Sequence, residues 1–223
     1  MGMSTTLQPS GTLQPSGQRR GAVQERSQET VGRVLAGAGR LLARGVSPQG
    51  LTTSQIAVEA GLSVGALYRF FPDKQAIVDA IALRHLEAFQ EALAADLMAE
   101  LPDSPAGFLA AVIDGFALYL ETHADFRTLA YGAPGGPPGG NARAISVALF
   151  DSQMGAGEMA TMVRDILSGM FGLDLGEDFD FRLRIAAEIG DRLFAHAFAQ
   201  PDGQQRARVL GQAKCVLGSY LFP

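Results

Sequence analysis

The chain has 223 residues, 47% of them apolar and 18% charged, which suffices for a buried core in one or two small globular domains. A single cysteine, Cys215, excludes an internal disulfide, and three scattered histidines, His85, His123 and His196, do not make a metal site without further ligands. The net charge of −5 argues at first against a nucleic-acid partner, but residues 1–75 hold eight Lys and Arg against four Asp and Glu, a balance of +4, while the rest hold ten against nineteen, a balance of −9. A basic front is drawn to phosphate and an acidic back is repelled by it, so the split would orient an approach to a polyanion.

The start, MGMSTTLQPSG, lacks the basic and apolar regions of a secretion signal. TLQPSG then occurs twice in succession, over 6–11 and 12–17, and QRRG follows. A polar Pro/Gly/Ser tract buries too little apolar surface to order itself, so residues 1–24 read as a disordered arm. From Val31 the apolar positions Val34, Leu35, Ala38, Leu41 and Leu42 fall on one helical face, and Gly45 ends that helix.

Thr52-Thr53 before SQIAVEA and Ser63 before VGALYRFF are hydroxyl-capped starts of two short helices, with Gly61 between them. Phe71, ahead of Pro72, disfavours further helix, and Asp73 caps a long fourth helix carrying Ile77, Ile81, Leu86, Phe89 and Leu93. Two short helices crossing at a glycine need a small contact, which Ala57 and Gly61 supply. Ile56, Ala60, Leu62, Leu67 and Phe70 form the shared core, leaving Thr53, Ser63, Val64, Gly65, Ala66, Tyr68 and Arg69 outside. That outer set is short, hydroxyl-bearing or cationic, which suits a helix-turn-helix set against a phosphate backbone.

The run TTSQIAVEAGLSVGALYRFFPDK resembles the helix-turn-helix of the tetracycline-repressor (TetR) type transcriptional regulators, including the L-Y-x-x-F-P-x-K ending; the motif covers about 31–82. The resemblance implies phosphate anchors at Thr53, Tyr68 and Lys74 and base-facing positions at Val64, Gly65 and Ala66. Arg69 reaches a base edge or a phosphate, and Ser63 either caps its own helix or touches DNA. None of the three base-facing residues has a long polar side chain, so reading by them reduces to methyl contacts, backbone approach and DNA shape. Arg19 and Arg20 are either a minor-groove arm or a solvated pair.

Further helices are expected over 105–122, 125–131, 141–171 with a break near 155–157, 179–199 and 203–221, and no strand ladder is visible. Asp114 interrupts FLAAVIDGFALYL, the longest apolar run, well short of a membrane span. GAPGGPPGG, 132–140, has no helical option and reads as a loop. The last two helices carry Phe181, Ile185, Ile189 and Leu193, then Val209, Leu210, Val216 and Leu217. The family resemblance makes that pair a homodimer interface, whereas the pattern alone leaves it equally an internal core. The middle helices supply Phe108, Phe116, Tyr119, Tyr131, Phe150, Met154 and Met162, with Arg127, Asp114 and His123 as the nearest polar groups. Aromatic and Met side chains line adaptable apolar cavities, and the resemblance places an inducer here.

The acidic run 174–180 fails as a calcium loop, since Phe179 stands where a glycine is needed and Ile185 where a bidentate glutamate is needed. No P-loop, dinucleotide fingerprint or nucleophile elbow occurs, so no enzyme, catalytic residue, cofactor or metal is expected. The expectation is an all-α protein with a helix-turn-helix domain over 25–75 and a ligand-binding and dimerisation domain over 76–223. It would be a cytoplasmic homodimer, not inserted in a membrane, that binds double-stranded palindromic operator DNA as a repressor and is released by a small apolar inducer. The alternative is a helical ligand-binding or enzymatic bundle whose helix-turn-helix is an internal scaffold.

Overall fold

The computed structural model describes residues 16–133, 156–176 and 178–222, with side chains described from residue 25 onward except in 156–162. Among the described residues there are nine helices and no strand: α1 Ser16–Ala43, α2 Thr53–Ala60, α3 Val64–Leu67, α4 Lys74–Ala99, α5 Pro105–Thr122, α6 Ala124–Tyr131, α7 Ala156–Phe171, α8 Phe179–Ala199 and α9 Gly203–Leu221.

The α1 helix begins at Ser16 rather than at Val31 and so overlaps the tract read as an arm, whose residues 1–15 lie outside the described residues. Its polar first half is rich in Gln, Arg and Glu, good helix formers that extend a helix cheaply once its apolar end is fixed by packing. Val34, Ala38, Leu41 and Leu42 form the buried stripe of α1. In α4 the stripe is Ile77, Val78, Ile81, Ala82, His85, Leu86 and Phe89, and the Asp73 carboxylate accepts from the Ala76 N–H at 2.8 Å to cap it. Ser104 caps α5 in the same way, at 3.1 Å from the Gly107 N–H, with Pro105 in the first turn where no N–H is needed. His123 ends α5 and begins α6, whose Phe126, Thr128, Leu129 and Ala130 are buried.

The core runs without interruption from Val34 in α1 to Leu221 in α9. Helix α6 packs against α1, α4 and α5, so the N-terminal helices rest directly on the middle of the chain. Gly39 of α1 lies so close to α6 that a Cβ there would come to 3.0 Å from the Asp125 carboxylate. At this junction the buried His85 ring stands 3.1 Å from Asp125 Oδ2 through Nε2 and 3.0 Å from the Tyr119 hydroxyl through Nδ1. The carboxylate only accepts, so Nε2–H donates to it. Phe126 stacks on the His85 ring at 4.8 Å, and Phe89, Phe116 and Phe194 extend the aromatic cluster toward α8.

Helices α8 and α9 form a hairpin, with Leu217 against Gly190. Leu210, Ala213, Leu217 and Leu221 are buried within this one chain, which decides the sequence ambiguity for those positions in favour of internal core. Phe181, 58% exposed, and Val216, 48% exposed, lie on the outer side instead.

Two outcomes test this architecture. Phe126→Ala, which empties a fully buried ring site, should cost about 3–5 kcal/mol, read as a fall in the urea midpoint. Burial works against the charge on Asp125, but the hydrogen bond and charge of His85, with the backbone N–H groups at the start of α6, outweigh it and hold the carboxyl below its usual range. A carboxyl lowered in the folded state contributes stability above its unfolded pKa, and that contribution is lost as pH falls through the folded value. Asp125→Asn should therefore flatten the loss of stability on the acid side, and an unchanged acid-side slope would overturn this assignment.

Candidate functional site

The helix-turn-helix is built on α1. A Cβ at Gly37 would come to 3.1 Å from the Ala60 backbone nitrogen, so α2 lies almost backbone to backbone on α1. Thr52 and Gln55 close a capping box at the start of α2, with Gln55 N–H to Thr52 Oγ1 at 3.2 Å and Thr52 N–H to Gln55 Oε1 at 3.1 Å. At the other end Gly61 takes the left-handed conformation, φ 66° and ψ 40°, and Leu62 N–H returns to the Ala57 carbonyl at 2.8 Å. The Arg33 guanidinium donates to the remaining carbonyls of Ala60 and Gly61 at 2.8 and 3.0 Å. Glu59 accepts from Arg40 at 2.7 Å and from Arg44 at 3.1 Å, and these bonds hold its carboxyl below the usual range.

The turn at Gly61 delivers α3, which is shorter than the sequence pattern implies. Only Val64–Leu67 is α-helical; Arg69 and Phe70 then bond three residues back, to Ala66 and Leu67, before Phe71 and Pro72 end the segment. Leu67 and Phe71 are its buried anchors. Ser63 Oγ accepts from the Ala66 N–H at 3.2 Å, so its oxygen caps α3 while its O–H remains a donor. Val64, Gly65 and Arg69 are exposed and Ala66 is half-buried. A Cβ at Gly65 would meet open space. The base-facing candidates thus stand at the outer edge of the domain.

The three expected phosphate anchors converge at the start of α2. The Tyr68 hydroxyl, on a ring 51% exposed, lies 3.4 Å from Thr53 Oγ1. Lys74 Nζ donates to the carbonyls of Gln49 at 2.6 Å and Leu51 at 3.1 Å, which leaves one of its three N–H donors. Besides carrying charge, Lys74 ties the loop before α2 to the first residue of α4. Neither this tie nor the Arg33 cap has a local sequence signal, since the partners are 23–28 residues apart.

In the expected ligand region Phe108, Phe116 and Tyr119 are buried in the common core, and the Tyr119 hydroxyl is engaged by His85. The Tyr131 hydroxyl donates to Asp191 Oδ1 at 3.3 Å, and its ring runs parallel to those of Phe194 and Phe198 at 6.5 and 6.1 Å. Burial raises the pKa of Asp191 and pushes Tyr131 well up, an effect that the neighbouring Asp191 charge increases. Asp191 was not singled out by the sequence, because its partner lies 60 residues away. Arg127 is half-buried, with its Nε covered and unbonded. Phe150 and Met154 lie outside the described residues, as do residues 134–140 of the Gly/Pro segment; Met162 is on α7 with its side chain outside the description. An open groove of about 610 Å³ lies elsewhere, lined by Leu175, Asp178, Phe181, Arg182 and Tyr220 on the side where Phe181 is exposed.

Among the described residues no group of three or more His, Cys, Asp or Glu is placed to hold a metal, and no helix is long and apolar enough to cross a membrane. Residues 34–81 match the family model for bacterial regulatory proteins of the tetR family. The comparison with curated proteins gave no match. Among solved structures, a TetR-family transcriptional regulator from Streptomyces coelicolor is 25% identical at a TM-score of 0.61, covering 86% of this chain and 97% of its own. A protein from Shewanella sp. PV-4 described as of the tetR family shares the fold at 18% identity and a TM-score of 0.52, covering 84% and 95%. Residues 34–81 thus carry the helix-turn-helix of the bacterial tetR-family regulators, and the helical fold that continues from it is similar to that of a TetR-family transcriptional regulator.

Proposed function

We propose that the protein acts in the cytoplasm as a homodimeric repressor, with one helix-turn-helix per protomer on each half of a palindromic operator, and that a small, largely apolar molecule releases it. The convergence of Thr53, Tyr68 and Lys74 at the α2 N-terminus carries this reading. Two hydroxyls and an ammonium surround helical N–H groups that also favour an anion, the arrangement a phosphate of the DNA backbone requires. Ser63, through its free O–H, and Arg69 would add backbone contacts. Val64, Gly65 and Ala66 would approach the major groove with methyl and backbone surface alone.

Dimerisation is supported by the outer side of the α8–α9 hairpin, where Phe181 and Val216 are exposed beside the half-buried Ile185 and Tyr220. A two-fold arrangement of two small reading heads is what a palindrome matches. The ligand would sit among α5 to α7, where aromatic rings dominate and charged groups are few; a polyanionic metabolite would lose its hydration there without adequate pairing. The proposal assigns no catalytic step and no cofactor.

Tyr68→Phe and Lys74→Ala should weaken binding to every DNA sequence alike, and Lys74→Ala should also lower the salt slope of log K by about 1. Ala66→Gln should instead change which sequence is preferred. A uniform loss from Ala66→Gln, with no change in preference across a randomised set of fragments, would show that α3 does not face bases.

A second pair of variants separates interface from core. Val216→Arg should give folded monomers in sedimentation with unchanged helicity, whereas Leu217→Glu, inside the chain's own core, should lose the fold because a buried unpaired carboxylate costs several kcal/mol, roughly. A Val216→Arg protein that remains dimeric would place the interface elsewhere.

A further inference from the structure

Four of the five arginines of α1, Arg19, Arg26, Arg33 and Arg40, recur at intervals of seven residues. Seven residues turn an α-helix through about 700°, roughly 20° short of two full turns, so the four positions fall within about 60° of one another along one side of the helix. Arg20 stands about 100° from Arg19 to one side of the row, and Glu25 and Glu29 flank the row on the other.

The row divides at the turn between α2 and α3. Arg40 is bound to Glu59 and Arg33 to the carbonyls of Ala60 and Gly61, so the contacts move to the very end of α2 as α1 is followed back toward its start. Ser63, the cap of α3, comes two residues after Gly61. Arg26 and Arg19 occupy the same side of α1 about 10 and 20 Å before Arg33, and so lie past the end of α2 on the stretch that leaves the domain at the turn opening α3. The first residue of α1 packed against the hydrophobic core is Val31, and Arg26 is exposed. Residues 16–30 contain only Ala22 and Val23 as apolar side chains, while 16–33 hold four Arg against two Glu. A helix polar on every side buries too little to fix its own position, and its use must come from what its charges meet.

We infer that this projecting part of α1 is a second DNA-contacting element, in which Arg26 and Arg19 meet successive backbone phosphates outside the stretch faced by α3. The inference rests on the reading of α2 and α3 as an operator-binding head and extends each half-site by about three to six base pairs, the span of one to two such intervals along a duplex. Guanidinium groups spaced along a helix with almost no apolar residues suit a polyanion, which requires charge and tolerates a wet contact. They do not suit a protein partner, whose interface centre requires apolar anchors. Arg19 and Arg20, adjacent in sequence, are separated by the helix, so only Arg19 belongs to the row.

The test uses DNA fragments that the full chain selects from a randomised pool, read by hydroxyl-radical footprinting and by the dependence of log K on log salt. The parent protein should protect the sugar-phosphate backbone beyond the central contacts of each half-site. Arg26→Gln should remove the inner part of that outer protection and Arg19→Gln the outermost part, each with the central protection kept. Each should lower the salt slope by about 1 and the pair together by about 2. Gln has nearly the helix propensity of Arg, so α1 itself is retained. Unchanged footprints and slopes in the double variant, with DNA still bound, would overturn the inference and leave the helix-turn-helix reading standing. Arg20→Gln lowering the slope as much as Arg19→Gln would also overturn it, by showing a diffuse effect of net charge. A change of oligomeric state on Arg26→Gln, seen by sedimentation without DNA, would overturn it by giving the row to a second copy of the chain. Failure of the parent protein to select any fragment would overturn both readings.

Discussion

The reading head depends on how closely α2 can lie against α1. At Gly37 the approach is to within van der Waals contact of the Ala60 backbone, a distance that any side chain larger than hydrogen would press apart. On either side of that contact the helices are joined by charge: Arg33 satisfies the carbonyls that α2 leaves open at Ala60 and Gly61, and Arg40 and Arg44 grip Glu59. Each exposed ion pair alone contributes little. Their effect is geometric, since together with the left-handed Gly61 they leave α3 one direction in which to go. The position of Val64 to Ala66 is thus set by residues of α1 and of the end of α2.

The same α1 helix also packs against α6 in the middle of the chain. Successive faces of one helix serve three contacts: Arg33, Gly37 and Arg40 meet α2, Val34, Ala38 and Leu41 fill the core, and Gly39 meets Asp125 of α6. Helix α4 makes a second connection, with Lys74 holding the loop before α2 at one end and His85 bonded to Tyr119 and Asp125 further along. Any shift of α6 must therefore displace Asp125 from α1 or from His85. For the proposed response, a ligand needs only to favour one such arrangement by about 1–3 kcal/mol, which amounts to the loss of a few hydrogen bonds.

Much of this architecture was legible in the sequence where the determinants are local. Thr52, Ser63, Asp73 and Ser104 mark helix starts because a short oxygen side chain reaches its own backbone three residues on, and Gly61 marks a turn because the left-handed region excludes most side chains. The starts of α5 and α9 carry the same kind of cap, at Ser104 and Asp202, while α8 follows from its apolar spacing alone. What was not legible depends on distant partners or on competing demands. The truncation of α3 reflects the pull of Phe71 into the core ahead of Pro72, which overrides the helical pattern through Phe70. Leu210 and Leu217 bury equally well in a protomer core or a dimer interface, so periodicity cannot separate the two. The carbonyl partners of Lys74 and the pairing of Tyr131 with Asp191 join residues far apart in the chain, and no spacing rule announces them.

In the proposed operator complex, the short side chains of Val64, Gly65 and Ala66 constrain how the protein discriminates. Bidentate contacts to base edges, each worth about 1–3 kcal/mol of discrimination, are closed to Val64, Gly65 and Ala66. In that proposed complex affinity comes mainly from phosphates, drawn by the basic N-terminal third and oriented away from the acidic remainder. Phosphate contacts carry no sequence information directly, but they register groove width and the separation of two reading heads. A protein that reads spacing more than bases is sensitive to small changes in how its two heads are held. In the proposed dimer that holding is done by α1, α4 and the α8–α9 hairpin, so control of DNA binding needs no contact between ligand and reading helix.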